Sequence, residues 1–162
     1  MKTILKNIFS LILPITALII IPMYIEPDIS IKKISALVTG LFIICIGLYI
    51  MTLTISLFIR IGKGTLAPWS QTKKLVISGI YGHLRNPMIS GVLMVLTGES
   101  IAILSLNIFI WTVIFYIINN FYFVFYEEPN LKKRFGNEYQ EYTNNVPRWL
   151  PRLKPFVPTS KI

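Results

Sequence analysis

The stretch LVISGIYGHLRNPMISG, from Leu75 to Gly91, is a polar, turn-forming run between long apolar blocks. Ser78-Gly79 and Arg85-Asn86-Pro87 are turn or helix-breaking signals, because glycine reaches backbone angles that other residues avoid and proline pushes the preceding residue out of the helical region. Directly after Pro87 the sequence becomes apolar again. Tyr, His, Arg and Asn side chains at the start of an apolar helix are costly unless they bind a ligand or support the fold. We therefore interpret the stretch as half of a binding site.

The composition around this stretch is typical of a membrane protein. Of the 162 residues, 54% are hydrophobic and 14% are charged, which is too little charge to cover a soluble domain. The formal net charge of +9 would suggest nucleic acid in a soluble protein, but here the basic residues flank apolar blocks, which fits lipid headgroups. We therefore expect one integral membrane domain over residues 1–162, with membrane lipids and no nucleic acid as partners. Cys45 is the single cysteine, so we expect no disulfide within the chain and a buried, inert thiol.

Four apolar blocks are long enough to cross a membrane, which takes about 20 helical residues. They cover residues 4–25, 34–59, 87–106 and 107–126. The third and fourth blocks are almost contiguous, so they should form an antiparallel hairpin, and Gly40 and Gly47 offer small surfaces for close packing of the second. The sequence thus predicts an all-α integral membrane protein with four transmembrane helices, divided into a two-helix region over residues 1–60 and a core over residues 61–162.

The distribution of positive charge predicts the orientation. If all four blocks span, fourteen of the sixteen Lys and Arg residues fall on one side of the membrane. Because basic segments stay in the cytoplasm, we expect both termini there, in a bacterial or archaeal plasma membrane. Lys2 and Lys6 precede the first block as they would in a signal peptide, but Pro22-Met23-Tyr24 is not a small-residue cleavage site. We therefore expect the first block to be retained as an anchor.

The C-terminal segment has the period of an amphipathic helix. Its apolar residues recur every three or four positions, at Leu131, Phe135, Tyr139, Tyr142 and Val146. This stripe can lie on the membrane or on the cytoplasmic loop, and the pattern leaves both open. Pro129 suits the first turn of the helix and should separate it from the fourth membrane helix.

Two polar clusters are expected at the same membrane face. Tyr81 to Asn86 enters the third helix and Glu127-Glu128 leaves the fourth, so the hairpin should bring them together. Adjacent carboxylates beside Arg85 can bind a cationic or hydroxyl-rich ligand. The alternative is that both glutamates are solvated interface charges, paired with Lys132 or Arg134 across one helical turn.

Other chemistry has little support in the sequence. There is no metal-ligand spacing, Gly-rich phosphate loop or Ser/His/Asp set, and we expect no metal cofactor. The single histidine, His83, is interpreted as a hydrogen-bonding residue rather than a base. Glu99 lies inside the third block and is a functional candidate, unless the helix ends early and leaves it at the outer interface.

GIYGHLRNPMISG, followed after the hairpin by YEEPNLKKRFGNEYQEYTNNVPRWLPRL, resembles the isoprenylcysteine carboxyl methyltransferase and phospholipid methyltransferase family of integral membrane enzymes. The similarity covers roughly Gly64 to Leu153, and the two motifs in this order around a helical hairpin are specific. The resemblance implies S-adenosylmethionine as cofactor. It also implies a cofactor pocket formed by the cytoplasmic loop, the ends of the membrane helices and the C-terminal amphipathic helix.

The resemblance further implies the residues of the site. The implied cofactor-binding residues lie before the turn, in it and at the foot of the fourth helix: Lys73, Lys74, Leu75, Val76, Tyr81, Asn86, Pro87, Met88, Ile89 and Glu127. Arg85 and Glu128 are the implied catalytic residues, and Arg148 is implied in substrate binding. Two positions depart from the family pattern. Ile89 replaces a common tyrosine, and Phe123 stands where relatives that methylate a prenylcysteine carboxylate carry an arginine.

The implied activity is methyl transfer from S-adenosylmethionine to a lipid or other apolar small molecule at the cytoplasmic face, as O-methylation of a carboxylate or similar group. Such a transfer depends mainly on aligning donor and acceptor. One alternative is a phospholipid-amine N-methyltransferase, in which Glu128 receives the headgroup amine. An alternative of another class is a non-catalytic scaffold or transporter subunit that retains the fold, although transport would require more polar residues at the bundle midplane.

Overall fold

The computed structural model describes residues 14–57, 60–61 and 75–157, so that Lys73 and Lys74 lie outside the described residues. Within these ranges the chain is helical and has no strand. A 3₁₀ turn at Gly79–Gly82 precedes the third of five helices. The helices are α1 (Thr16–Ile25), α2 (Ile34–Leu57), α3 (Pro87–Ala102), α4 (Leu106–Tyr122) and α5 (Glu128–Asn145).

Two helices in the described part of the chain are long and apolar enough to cross a membrane. One is α2, with 24 residues, and the other is the 40-residue helix Leu106–Asn145, which contains α4 and α5. α1 and α3 are apolar but shorter. α3 ends at Ala102, because the chain turns at Leu104, whose φ of 52° is incompatible with helix. Four membrane spans therefore stay a prediction.

One face of α2 points away from the rest of the protein. Leu41, Phe42, Leu48 and Tyr49 are exposed, as expected for a helix that faces lipid. Cys45 is exposed as well. The prediction of a buried thiol was wrong, because an apolar run in a membrane helix can face lipid as well as protein.

α2 and α3 pack antiparallel through paired glycines. A Cβ atom on Gly40 would lie 2.5 Å from the carbonyl oxygen of Gly98, and one on Gly47 would lie 2.7 Å from that of Gly91. The two glycines of each helix are seven residues apart, about two helical turns, so both face the partner helix. Close packing at Gly40 and Gly47 is confirmed, and their partner glycines on α3 are a finding of the structure.

A three-residue turn, 103–105, joins α3 to α4 as the predicted hairpin requires. The Ser105 side chain caps α4 by accepting a hydrogen bond from the Ile108 N–H at 3.3 Å, and it donates to the Glu26 carboxylate. The Lys32 ammonium donates to the Leu104 carbonyl at 3.3 Å. The connection between α1 and α2 is thereby fixed to this end of the hairpin.

The helix passes Pro129 without a break. The expected separation at this residue is wrong, because a π turn over Phe123–Glu127 joins α4 directly to α5. The N–H of Glu128 bonds to the carbonyl of Phe123, five residues earlier. This wider turn accommodates a proline that has no N–H to donate to the preceding turn. A π turn also precedes Pro22 in α1.

α5 bends instead at Gly136, where φ is 53° and ψ is −124°. A Cβ atom there would meet nothing within 4 Å, so the backbone angle, not the space, favours glycine. Beyond the bend the apolar stripe packs on the loop before α3. The buried cluster consists of Ile77, Tyr139, Tyr142 and Val146, with Leu75, Leu131, Phe135 and Phe156 against it. Of the two predicted positions for the stripe, the structure shows the one on the loop.

Candidate functional site

The loop before α3 is shaped by its own sequence. Val76 and Ile77 are buried, and Ile77 packs in one cluster with Tyr139 and Tyr142 of α5. Gly79, with φ of 61°, then turns the chain into the 3₁₀ turn that carries Tyr81. The hydroxyl of Tyr142 donates to the Tyr81 carbonyl at 2.8 Å. The predicted cofactor-binding segment is therefore attached to α5 by an apolar cluster and a hydrogen bond.

The chain after Pro147 holds the other side of this loop. Three backbone N–H groups donate across the contact: Arg85 to Pro147 at 2.9 Å, Arg152 to His83 at 3.0 Å and Phe156 to Gly82 at 2.9 Å. The His83 ring adds a bond from Nδ1 to the Arg152 carbonyl at 2.7 Å. His83 thus makes a hydrogen bond, as interpreted from the sequence. The contribution of Arg152 and Phe156 was missed, because no periodic signal links two irregular segments.

Glu128 lies between two arginines from other parts of the chain. The Arg85 Nη1 atom is 3.1 Å from Glu128 Oε1. Arg148 binds both carboxylate oxygens, through Nε at 2.8 Å and Nη2 at 2.9 Å. All three side chains are largely buried, and such charges require close pairing. The structure therefore brings the two polar clusters together, and Glu128 is bound by arginines outside its own helix rather than by a residue one turn away.

The neighbouring Glu127 has a different environment. Burial, and then the negative charge of Glu128, raise the pKa of Glu127 from 4.5 to about 7. Burial also raises the pKa of the Tyr81 phenol, with a smaller contribution from the charge of Glu127. Tyr81 and Glu127 are therefore electrostatic neighbours. A carboxyl group in this setting gains from a ligand that is cationic or donates hydrogen bonds, because such a ligand compensates its desolvation.

Unpaired hydrogen-bond donors lie at the foot of α3. The side-chain atoms Asn86 Nδ2 and Arg85 Nε are buried and have no hydrogen-bond partner among the described residues. Pro87 begins the helix, so the N–H groups of Met88 and Ile89 have no acceptor within it. Buried donors without partners call for a ligand or water. The backbone donors do not depend on side-chain identity, so the departure from the family pattern at Ile89 leaves them in place.

Arg148 and Trp149 reach back to α4. Asn120 Oδ1 accepts from Trp149 Nε1 at 3.1 Å and from Arg148 Nη1 at 3.4 Å. The Trp149 ring contacts Tyr116 and Phe123 edge-on, with centroid distances of 5.2 and 5.9 Å. Phe123 is therefore part of an aromatic wall beside the charged cluster.

Two cavities lie at opposite ends of α3. The larger, of about 420 Å³, opens beside Arg85 and Glu128 and is lined on α5 by Lys132, Tyr139 and other polar side chains. The other, of about 250 Å³, lies at the opposite end of α3 and is mainly apolar. It contains Glu99, whose buried Oε2 atom has no partner in the described part of the chain. Among residues 14–57, 60–61 and 75–157, no group of His, Cys, Asp and Glu is arranged to hold a metal ion.

Comparison with known proteins gives one family match. A family described as phospholipid methyltransferase matches residues 35–138, from the start of α2 to the middle of α5. The match includes the loop before α3 and both glutamates, and it ends before the segment that follows Pro147. No curated protein and no solved structure matches the chain.

Proposed function

The chain belongs to the phospholipid methyltransferase family, and from that premise we propose that it transfers a methyl group from S-adenosylmethionine to a lipid or other apolar small molecule. The family is one of methyltransferases, which supports an enzyme. One observation carries the proposal for the site: the buried Glu127 carboxyl and the unpaired donors of Arg85 and Asn86 lie in the segments that the folded chain brings together at the foot of α3.

The family and the two long apolar helices indicate a membrane protein. We propose that α1 and α3 complete a four-helix arrangement with both termini in the cytoplasm. At about 1.5 Å per residue, the 16 residues of α3 cover about 24 Å, somewhat less than the hydrocarbon core. Close pairing with α2 supports α3 in this position. The candidate site then lies at the cytoplasmic face, where the basic loop and tail are expected.

The donor set fits the cofactor. S-adenosylmethionine, when bound, supplies an activated methyl group, together with amino, carboxylate and ribose hydroxyl groups that the protein must bind. We propose that Glu127 accepts from its amino or hydroxyl groups, while Asn86 and the N–H groups of Met88 and Ile89 act as donors. Tyr81 contributes an aromatic wall. Leu75 and Val76 stay predicted cofactor contacts, as do Lys73 and Lys74, which lie outside the described residues.

Methyl transfer requires alignment more than acid–base chemistry. We propose that Glu128 acts mainly as a positioning residue, because its carboxylate is already shared by Arg85 and Arg148. Arg85 then orients the acceptor or the cofactor carboxylate through its unpaired Nε atom, and Arg148 holds the acceptor side. The catalytic roles implied for Arg85 and Glu128 remain predictions, with Arg85 as the residue that contacts the ligand and Glu128 as the residue that positions it.

For the acceptor, the structure favours an apolar molecule that approaches from the lipid. The rings of Tyr116 and Phe123 pack against Trp149 and form an aromatic wall next to the charged cluster. O-methylation of a carboxylate or similar group is our first proposal. The family description favours a second candidate, N-methylation of a phospholipid amine, and in that case the amine would meet Glu128.

Calorimetric titration of the purified protein with S-adenosylhomocysteine tests the cofactor site. We expect binding by the native protein and about 5- to 150-fold weaker affinity for Glu127→Gln and Asn86→Ala, because a carboxylate bond and a buried amide bond are each worth about 1–3 kcal/mol. Glu138→Gln, which neutralises a carboxylate elsewhere on α5, is the matched control and should bind normally. Absence of binding at millimolar ligand would exclude the enzyme and favour a non-catalytic membrane protein.

A second experiment identifies the acceptor. The protein is incubated with a membrane lipid extract and S-adenosylmethionine labelled in the methyl group, and the labelled product is identified by mass spectrometry. A base-labile methyl ester supports O-methylation, whereas a base-stable methylated amine headgroup supports the second candidate. Glu127→Gln serves as the inactive control in both cases.

A further inference from the structure

The segment Arg148–Val157, which we call the tail strap, has two different sides. Its inner side binds the backbone of the loop before α3, and the ring of Phe156 lies against Tyr142 at a centroid distance of 6.3 Å. Its outer side is apolar and open, with relative exposures of 80% at Leu150, 98% at Leu153 and 77% at Val157. Lys154 is exposed among them. An open patch of this kind marks an interaction surface.

The tail strap starts at the level of the apolar helix α4. Trp149 bonds to Asn120 and packs on Tyr116. Asn120 precedes Glu127 by seven residues, or about 10 Å along a helix that rises 1.5 Å per residue. The chain therefore leaves α5, returns along α4 and presents Leu150 beside the surface of a candidate membrane span.

We propose that the outer side of the tail strap docks into the anionic cytoplasmic leaflet and thereby holds the candidate site in place. The face of α4 on which Trp149 packs is partly exposed, with Tyr116 at 38% and Val113, three residues earlier on the same face, at 42%. The apolar surface of the span therefore continues onto the strap. Lys154 next to Leu153 provides the positive charge that anionic headgroups attract. The chemistry of this surface thus fits a phospholipid interface with a net negative charge.

Docking affects the site through the inner side of the strap. Its backbone bonds to His83 and Gly82, together with the bond from Arg85 to Pro147, hold the loop that leads into Asn86. A strap released from the leaflet would leave this loop less restrained. We therefore expect anionic lipid to raise the affinity for S-adenosylhomocysteine. This step rests on the cofactor site and the membrane orientation of the proposed function.

The position of the strap can be measured without the cofactor. In a Cys45→Ser background, Leu153→Cys is labelled with an environment-sensitive fluorophore, and the full-length protein is placed in nanodiscs that contain phosphatidylglycerol and lipids with nitroxide near the headgroup. We expect strong quenching at residue 153 and weak quenching for Asn137→Cys, an exposed position on α5. Equal quenching at the two positions would overturn the proposal. A signal at residue 153 that changes with added unlabelled protein, but not with nitroxide lipid, would assign the surface to a second copy and overturn it as well.

The effect on the site is tested by titration with S-adenosylhomocysteine in nanodiscs with and without phosphatidylglycerol. We expect Lys154→Gln and Leu153→Asp, each of which changes the charge by one unit, to weaken the affinity about fivefold in anionic nanodiscs, the size expected for one charge near such a surface. Ile31→Asp, an equally drastic change at an exposed residue in the α1–α2 connection, should leave it unchanged. Native protein that binds equally well in both lipids would refute the coupling and leave the proposed function intact. Failure to bind at all would count against the proposed function, while quenching still decides the docking.

Discussion

Replacing Glu127 with glutamine should stabilise the ligand-free protein at alkaline pH, although it removes the proposed cofactor contact. Burial and the charge of Glu128 raise the pKa of Glu127 from 4.5 to about 7. The folded protein therefore retains a proton at pH values where the unfolded chain has released it. The free energy of unfolding therefore falls as the pH rises above 4.5, and the loss is complete above the pKa that Glu127 has in the folded protein.

The size of the effect follows from the two pKa values. A shift from 4.5 to about 7 corresponds to roughly 3 kcal/mol of destabilisation at pH 8, at about 1.4 kcal/mol per pKa unit. At pH 5 the same relation gives a destabilisation of less than about 1 kcal/mol, because Glu127 is then protonated in the folded state. Glutamine has no charge to desolvate. Its advantage over glutamate should therefore be large at pH 8 and small at pH 5.

Thermal unfolding in one detergent at both pH values measures this difference. We expect Glu127→Gln to raise the melting temperature by about 6–12 °C at pH 8, since about 3 kcal/mol in a chain of this size corresponds to that range. Glu128→Gln is the matched control. It should lower the melting temperature at pH 8, because it leaves Arg85 and Arg148 without their shared carboxylate. A Glu127→Gln protein less stable than the native one at pH 8 would refute the reasoning, since Glu127 would then have a stabilising partner.

Two further substitutions test the parts that position the site. Gly98→Leu should cost about 1–3 kcal/mol, the usual range for overpacking, because a Cβ there would lie 2.7 Å from the Gly40 carbonyl oxygen. It should reduce the yield of monodisperse protein in size-exclusion chromatography. Val38→Leu, on the exposed face of α2, should give the native yield, and equal yields of the two variants would contradict close packing. Tyr142→Phe removes the 2.8 Å hydrogen bond to the Tyr81 carbonyl. Because one hydrogen bond is worth about 0.5–1.5 kcal/mol, the affinity for S-adenosylhomocysteine should fall about 2- to 10-fold. The control Tyr126→Phe, at an exposed position, should bind normally.

Much of the fold follows from local signals in the sequence. The start of α3 at Pro87 follows from the preference of proline for the first helical turn, and the apolar stripe of α5 follows from its period. The resemblance to the family rests on two motifs, and the family match confirms it. The two helical features were predictable because each depends on residues within a few helical turns, and the family resemblance because each of its motifs is a continuous stretch of sequence.

Other features depend on contacts that no local pattern encodes. The packing role of Gly91 and Gly98 could not be predicted from their own sequence, because it depends on the position of Gly40 and Gly47 on α2. The hydrogen bonds between the loop before α3 and the segment after Pro147 join two segments without regular secondary structure, so no sequence periodicity predicts their pairing. The continuous helix through Pro129 contradicts the local rule, because a π turn gives the chain another way to accommodate a proline.

The π turn also determines the surroundings of the two adjacent glutamates, Glu127 and Glu128. Neighbouring side chains on a helix point about 100° apart, so Glu127 and Glu128 must face different surroundings. Which of them meets the two arginines depends on the rotation of the helix at that point, and the π turn over Phe123–Glu127 inserts a residue that changes this rotation. In the structure Glu128 pairs with Arg85 and Arg148, whereas burial and the charge of Glu128 raise the pKa of Glu127 beside Tyr81. The family resemblance implies Glu127 as the cofactor contact, and the geometry of the turn gives a physical reason why the two side chains have different surroundings.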